Sequence, residues 1–274
     1  MIMISRRHIL AGAALLTTTP HPLSAAKGQS DCDAIWDRLL STYVHGDAQE
    51  INRVDYAAWK ANKDDLKALD GVVTGFAALP ISSLTKPNQF ALWANLYNAL
   101  TLQVVLSFYP IKSIREIRPS LLSIGPWKQK CVNVEGMDLS LDDIEHGILR
   151  KNWADPRVHY CLNCASVGCP NLQRRGWRAT SLEADLDAAA RTFINSARAV
   201  RIVGPKQLRL SSIYQWFKSD FGNNQAGILD HIRRYAAPSL GAQLTHVRII
   251  GYDYDWSINA TKGRAKNGLT IWGN

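Results

Sequence analysis

The 274-residue chain has no internal repeat, no low-complexity run and no Gly/Ser-rich linker after residue 30. Neither charge nor apolar content is extreme: 20% of the residues are charged and 46% are apolar, which excludes disordered, collagen-like and coiled-coil proteins. The sequence also lacks a stripe of interleaved basic and aromatic residues, and its net charge of +9 is spread along the chain. These absences argue against a nucleic-acid-binding protein.

The first 26 residues have the pattern of a cleavable export signal. The pair Arg6–Arg7 precedes a short apolar run at 9–16, and small residues end the segment at Ala26. The run is shorter than the about 20 residues that span a bilayer. The string SRRHIL at 5–10 resembles a twin-arginine signal, with an ordinary secretory signal as the alternative. We expect cleavage after Ala26, no integral membrane span afterwards, and a periplasmic or secreted protein with a single domain over residues 27–274.

Helical patterns dominate the first half of the chain and extended patterns the second. Residues 89–109 are apolar nearly all round and end at Pro110, which predicts a buried central helix. Further helices are predicted at 31–43, 54–66, 141–152, 181–195, 213–221 and 227–235, and extended segments at 111–117, 131–134, 158–162, 200–210 (a hairpin) and 247–254. This order predicts an α+β fold whose helix-rich first half packs on an antiparallel sheet from the second half.

The densest set of reactive side chains lies between His159 and Cys169, in the string HYCLNCASVGC. A zinc site would use His159, Cys161, Cys164 and Cys169, although structural zinc ligands usually form two separated pairs. A redox or structural pair would use Cys161 and Cys164, whose CxxC spacing is a weak signal here. A thiol nucleophile would use Cys164 with His159 as its base, provided that the chain turns between them.

Glu145 and three amides are further candidates. Glu145 lies in the apolar stripe of the helix predicted at 141–152, where a carboxylate needs an imidazole or an arginine as partner. Asn95 and Asn98 share one face of the central helix, and their amides either bind substrate or an oxyanion, or satisfy buried backbone groups. Asn163 is a third candidate for substrate or oxyanion binding.

Five strings of the sequence resemble one bacterial and plant family. They are WANLYNAL at 93–100, LDDIEHGILR at 141–150, DPRVH at 155–159, NCASVGCP at 163–170 and YDWSIN at 254–259. On these strings, the chain resembles the family known as domain of unknown function number 547 over residues 43–259. The resemblance implies a papain/transglutaminase-like fold with a triad of Glu145, His159 and Cys164. The order Glu-His-Cys reverses that of papain and implies a permuted version of the fold.

The same resemblance bears on the other cysteines. Many relatives have a different residue at the position of Cys161, so the family's chemistry does not depend on the CxxC pair. This departure from the family makes Cys161 a candidate for a regulatory disulfide with Cys164, and Cys169 is a further candidate redox partner.

The sequence thus predicts an exported cysteine-dependent amide or thioester hydrolase, or acyl transferase, that acts on a small peptide or thiol-containing substrate without a cofactor or metal. Two alternatives stay open. One is a binding module for a small thiol or peptide such as glutathione, and the other is a thiol–disulfide exchanger that uses Cys161 and Cys164.

Overall fold

The computed structural model describes residues 22–118 and 124–261, with side chains from residue 28 onward. Residues 1–21 of the predicted export signal therefore lie outside the described residues. The α-helices are α1 (Pro22–Tyr43), α2 (Tyr56–Ala61), α3 (Lys63–Ala77), α4 (Lys86–Phe108), α5 (Arg150–Trp153), α6 (Val158–Cys161), α7 (Leu182–Ile194), α8 (Ile213–Trp216), α9 (Gln225–Tyr235) and α10 (Pro238–Gln243). The strands are β1 (Val44–Gly46), β2 (Asn52–Val54), β3 (Val132–Val134), β4 (Met137–Leu139), β5 (Val200–Gly204), β6 (Gln207–Ser211) and β7 (Arg248–Asp253).

Helix α4 is the centre of the hydrophobic core, which confirms the predicted central helix. It starts earlier than predicted because Pro87 is accommodated in the first turn, where a helix does not need the missing N–H. All residues from 90 to 102 are buried, so the helix contacts protein on every side. Helix α3 and the segment that contains Glu145 pack against it. Within the described ranges, no helix is both long and apolar enough to cross a bilayer.

The main sheet has three strands in the order β5-β6-β7. Strands β5 and β6 form the predicted antiparallel hairpin, whereas β7 runs parallel to β6. The sheet is therefore mixed and not purely antiparallel. Helices α8, α9 and α10 connect β6 to β7 and return the chain to the end of the sheet at which β6 begins, so β7 runs in the same direction as β6. Two small antiparallel pairs, β1–β2 and β3–β4, complete the strands of the described residues. The predicted α+β class is confirmed.

Several local predictions were wrong. Where a strand was predicted at 158–162, Val158–Cys161 form the short helix α6, because a buried apolar run of this length has no periodicity that separates strand from helix. Residues 111–117 contain a 3-10 turn, and the helix predicted at 54–66 is split by Asn62, which caps α3. Helix α10 follows the helix that the sequence indicated as the last one.

The helix that carries Glu145 begins with a capping box and then widens. Asp143 donates its N–H to Ser140 Oγ at 3.2 Å, and Ser140 donates its N–H to Asp143 Oδ2 at 2.7 Å. The following turn, Asp143–Leu149, is π-helical and continues into α5. Such turns alter which side chains share a face, and they are frequent at functional sites.

The C-terminal segment, residues 254–261, holds the loop that contains two of the cysteines. This cysteine loop, residues 163–172, is bonded to it through Val167 N–H to Ser257 O at 2.8 Å and Gly168 N–H to Asp255 O at 2.8 Å. A Cβ at position 168 would lie 2.9 Å from the Asp255 nitrogen, so only glycine allows this approach. The same segment also pairs with β2. The fold thereby fixes the backbone of the cysteine loop.

Candidate active site

A cavity of about 500 Å³ lies where the cysteine loop meets α6, α8 and the π-helical turn. Cys164, His159 and Glu145 all line it. Its walls are largely aromatic and include Trp127, Trp216, Phe217, Tyr254 and Trp256. The three residues of the predicted triad therefore meet at one cavity, although each comes from a different element.

The imidazole of His159 is held rigidly at this cavity. Its side chain is 1% exposed and stacks on Phe217, with 4.0 Å between ring centroids. Nε2 donates a hydrogen bond to Asp220 Oδ2 at 2.8 Å. Nδ1 is buried without a hydrogen-bond partner among the described residues. One ring nitrogen is thus fixed by a hydrogen bond, and the other has no hydrogen-bond partner among these residues.

Asp220, which holds the ring, was not identified from the sequence. It lies on the 3-10 turn Lys218–Phe221, and Arg150 donates to both of its oxygens at 2.6 and 2.8 Å. Although burial raises the pKa of Asp220, the hydrogen bonds from His159 and Arg150 hold it well below its usual range. The carboxylate is therefore ionised, and it accepts a hydrogen bond from Nε2–H of His159. No motif marks Asp220, which is 61 residues from its partner.

Most of the Glu145 side chain is buried, as predicted, but Glu145 does not hold the ring. Its side chain is 13% exposed, and the hydroxyl of Tyr97 donates to Oε2 at 3.2 Å. Oε1 lies 3.9 Å from His159 Nδ1, which is beyond hydrogen-bonding distance. Arg150 binds Asp220, and Arg157 binds Asp155, Glu183 and Asp187, so neither of these arginines is the partner of Glu145.

The structure distinguishes between the two candidate redox partners of Cys164. Cys164 is bonded to Cys169 in a disulfide, so the alternative disulfide with Cys161 is not formed. Cys161 is a free, buried thiol that donates to Val158 O at 3.2 Å, because helix α6 turns its side chain back onto the preceding turn. Burial raises the pKa of this thiol. The zinc set does not assemble either: no group of three His, Cys, Asp or Glu side chains with metal-binding geometry occurs among the described residues.

Three donors surround the disulfide. The hydroxyl of Tyr254 lies 3.1 Å from the sulfur of Cys164 and 3.0 Å from that of Cys169. The hydroxyl of Ser166 lies 3.2 and 3.5 Å from the same two sulfurs. The backbone N–H of Cys164 donates to the Cys169 sulfur at 3.0 Å. Between the two cysteines, Ala165 has a φ of 60°, a strained conformation of the kind found at functional sites.

The three candidate amides bind the protein's own backbone. Asn95 accepts from Trp177 N–H at 2.8 Å and donates to Trp177 O at 3.0 Å. Asn98 accepts from Asn163 N–H and donates to Cys161 O, both at 2.9 Å. The side chain of Asn163 accepts from the Ala165 N–H and donates to Pro170 O. None of the three is among the described residues that line the cavity, so their geometry supports the structural alternative.

Comparison with known families agrees with the resemblance noted in the sequence. The model of the family described as "Protein of unknown function, DUF547" matches residues 81–194. This match assigns residues 81–194 of the chain to the family. The matched stretch includes Glu145, His159, Cys164 and Cys169, whereas Asp220 lies beyond it. Comparisons with curated proteins and with solved structures gave no match.

Proposed function

We propose that this DUF547 protein is an exported cysteine-dependent hydrolase or acyl transferase that acts on amides or thioesters. The observation that carries the proposal is the cavity shared by Cys164, His159 and Glu145. At this cavity, one nitrogen of the His159 ring is held by Asp220, and the other has no hydrogen-bond partner within residues 22–118 and 124–261. The expected papain/transglutaminase-like relationship and the export signal belong to the same proposal and rest on the sequence.

The nucleophile is Cys164 after reduction of its disulfide. Because the carboxylate of Asp220 accepts the hydrogen bond from Nε2–H, the proton of the neutral ring stays on Nε2 and the lone pair is on Nδ1. This nitrogen takes the proton of the Cys164 thiol. The thiolate attacks the acyl carbon to form a thioester with the enzyme. The leaving group receives the proton from Nδ1, and water or an acceptor amine or thiol then resolves the thioester.

Glu145 acts beside the ring in this scheme. Its Oε1 is 3.9 Å from Nδ1, so its negative charge lies close to the imidazolium that forms when Nδ1 takes the proton. Opposite charges at this distance attract strongly in a partly buried site. Glu145 therefore stabilises the charged ring, while Asp220 orients it.

The cavity indicates the class of substrate. About 500 Å³ accommodates a small peptide or a thioester. Its aromatic walls favour an apolar or flat acyl group, which stacks against Trp127, Trp216 and Trp256. The substrate proposed is therefore a small peptide or thiol ester with an apolar acyl portion.

The proposal is tested by labelling the reduced protein with a peptide-based acylating probe and by turnover of a chromogenic thioester. Cys164→Ala should abolish both signals, because the attacking sulfur is removed. Cys161→Ala is the matched control: its thiol is buried and bonded to backbone, so its loss should leave labelling unchanged. Equal labelling of Cys164→Ala and the wild type contradicts the assignment. Adding an acceptor amine separates transfer from hydrolysis, because only a transferase gives the amide product.

A further inference from the structure

We infer that the Cys164–Cys169 disulfide is a thiol-exchange site with a fixed direction: a small thiol in the cavity attacks Cys164, and Cys169 is the leaving group. The inference rests on the proposed function in one respect, because the exchange uncovers the sulfur proposed as its nucleophile. The direction of exchange follows from the surroundings of the two sulfurs.

The two sulfurs differ in exposure. Both cysteines border the cavity, but Cys164 is partly exposed whereas Cys169 is 3% exposed. A thiolate must approach the attacked sulfur directly, so accessibility determines which sulfur reacts. The exposed position of Cys164 makes it the sulfur that the incoming thiol reaches.

The two sulfurs also differ in their donors. Tyr254 and Ser166 contact both sulfurs, but only Cys169 receives a backbone N–H as well, from Cys164 at 3.0 Å. Hydrogen bonds to an ionised sulfur stabilise the thiolate, and a more stable thiolate leaves faster. Burial raises the pKa of Tyr254, so its phenol keeps its proton at neutral pH and can donate.

The exchange is balanced as follows. The incoming thiolate forms a bond to Cys164 Sγ while the Cys164–Cys169 bond breaks, and the electron pair of that bond goes to Cys169 Sγ. A second small thiol then attacks the sulfur of the small thiol that is bound to Cys164, and Cys164 is released as a thiolate. In total, two small thiols are oxidised to their disulfide, the two cysteines are reduced to thiols, and the protons of the small thiols pass to the cysteines.

The backbone of the cysteine loop does not need the disulfide to keep its position. Val167, Gly168 and Asn259 form backbone hydrogen bonds between the loop and the C-terminal segment. Arg198 donates to the carbonyls of Val167 and Cys169 at 3.2 and 2.6 Å. Reduction therefore leaves the hydrogen-bond donors around Cys169 in place, so the released thiolate still accepts their hydrogen bonds.

The experiment uses the oxidised full-length protein, reduced glutathione as the thiol, an acid quench and peptide mass spectrometry. We expect the mixed disulfide on Cys164, with Cys169 free for alkylation. Tyr254→Phe should slow the reduction about tenfold, because one hydrogen bond to the departing sulfur is lost. Tyr252→Phe is the matched control, since Tyr252 lies on β7 and its loss of the hydroxyl should leave the rate unchanged. Thermal unfolding verifies that both variants are folded.

Three results overturn the inference: glutathione bound equally to Cys169, reduction only after urea is added, or equal rates for Tyr254→Phe and the wild type. The outcome is independent of acyl chemistry because it is read by mass. If exchange fails but the chemically reduced protein turns over a thioester, only the inference is wrong. If exchange proceeds through Cys164 but Cys164→Ala retains thioester turnover, only the proposed function is wrong.

Discussion

His159 donates a hydrogen bond from Nε2 to the carboxylate of Asp220 at 2.8 Å, across 61 residues of chain. The family match ends at residue 194, so this contact joins a ring inside the matched stretch to a carboxylate outside it. The same carboxylate is held by Arg150, which fixes its direction. The orientation of the ring therefore depends on a residue from the part of the chain that follows the matched stretch.

Replacing Asp220 should slow the proposed chemistry without removing a reacting group. In Asp220→Asn, the amide can present an N–H to the ring, and Nε2 then becomes the acceptor while Nδ1 carries the proton. We expect the rate of probe labelling of reduced Cys164 to fall about a hundredfold or more. The measurement is the labelling rate as a function of pH. Asp230→Asn is the control, because Asp230 is exposed and pairs only with Arg233 among the described residues. Equal rates for the two variants contradict the orienting role.

Replacing Asn98 should affect stability and not catalysis. Asn98→Ala leaves the Asn163 N–H and the Cys161 carbonyl buried without their partner. We expect the free energy of unfolding to fall by about 2–4 kcal/mol, since each unsatisfied buried group costs about 1–3 kcal/mol. Urea denaturation measures the loss, and the exposed Asn152→Ala serves as the control. A stable variant with much slower labelling would indicate the oxyanion role instead.

The stability of the protein should fall between pH 6.5 and pH 4 because of His231. Burial, together with the charge of Arg234, lowers the pKa of His231 to about 4, against an ordinary value of about 6.5. In this window the unfolded state binds a proton that the folded state does not, so the free energy of unfolding decreases as the pH falls. The contribution of His231 to the free energy of unfolding is fully present above the pKa of the unfolded state. About 3 kcal/mol of it is lost as the pH falls across this window.

Urea denaturation at pH 7 and pH 4.5 tests this dependence. His231→Gln should flatten it, because glutamine does not titrate but can still bond to the Tyr160 hydroxyl, which His231 contacts at 2.8 Å. His45→Gln, at an exposed position, should keep the wild-type slope. Parallel slopes for all three proteins would mean that His231 is not the group responsible.

Trp216 should contribute to substrate binding and not to the chemical step. It is 46% exposed at the cavity and packs beside Tyr254 and Trp256. For Trp216→Ala we expect KM for an apolar thioester to rise about tenfold with kcat little changed, as for a contact that is equal in the ground and transition states. Steady-state kinetics measures both constants. Phe108→Ala, 56% exposed at the end of α4, is the control for loss of a surface aromatic residue. An unchanged KM contradicts the role.

The sequence was informative where a local pattern determines the structure. The apolar run of α4 has one favourable outcome, which is burial on all sides, and the Ser140 capping box depends on residues three positions apart. The burial of Glu145 followed from its place in an apolar stripe. These features are decided by neighbours in the chain, and the structure confirms the central helix and the burial of most of the Glu145 side chain.

The remaining features depend on tertiary contacts. Cys161 and Cys164 are close in sequence, but α6 directs Cys161 into the core, and the cysteine loop brings Cys169 to Cys164 instead. The short run at 158–162 has no periodicity to separate strand from helix. Asp220 becomes significant only when the fold places it beside His159. A pattern within one segment cannot indicate such pairings.

The hydrogen bonds between the cysteine loop and residues 254–261 have a consequence for crystallography. Their donors and acceptors are main-chain atoms, which do not change when sulfur gains or loses electrons. Crystals of the oxidised and the reduced protein should therefore superpose at this loop, and the difference map between them should contain little beyond two sulfur atoms.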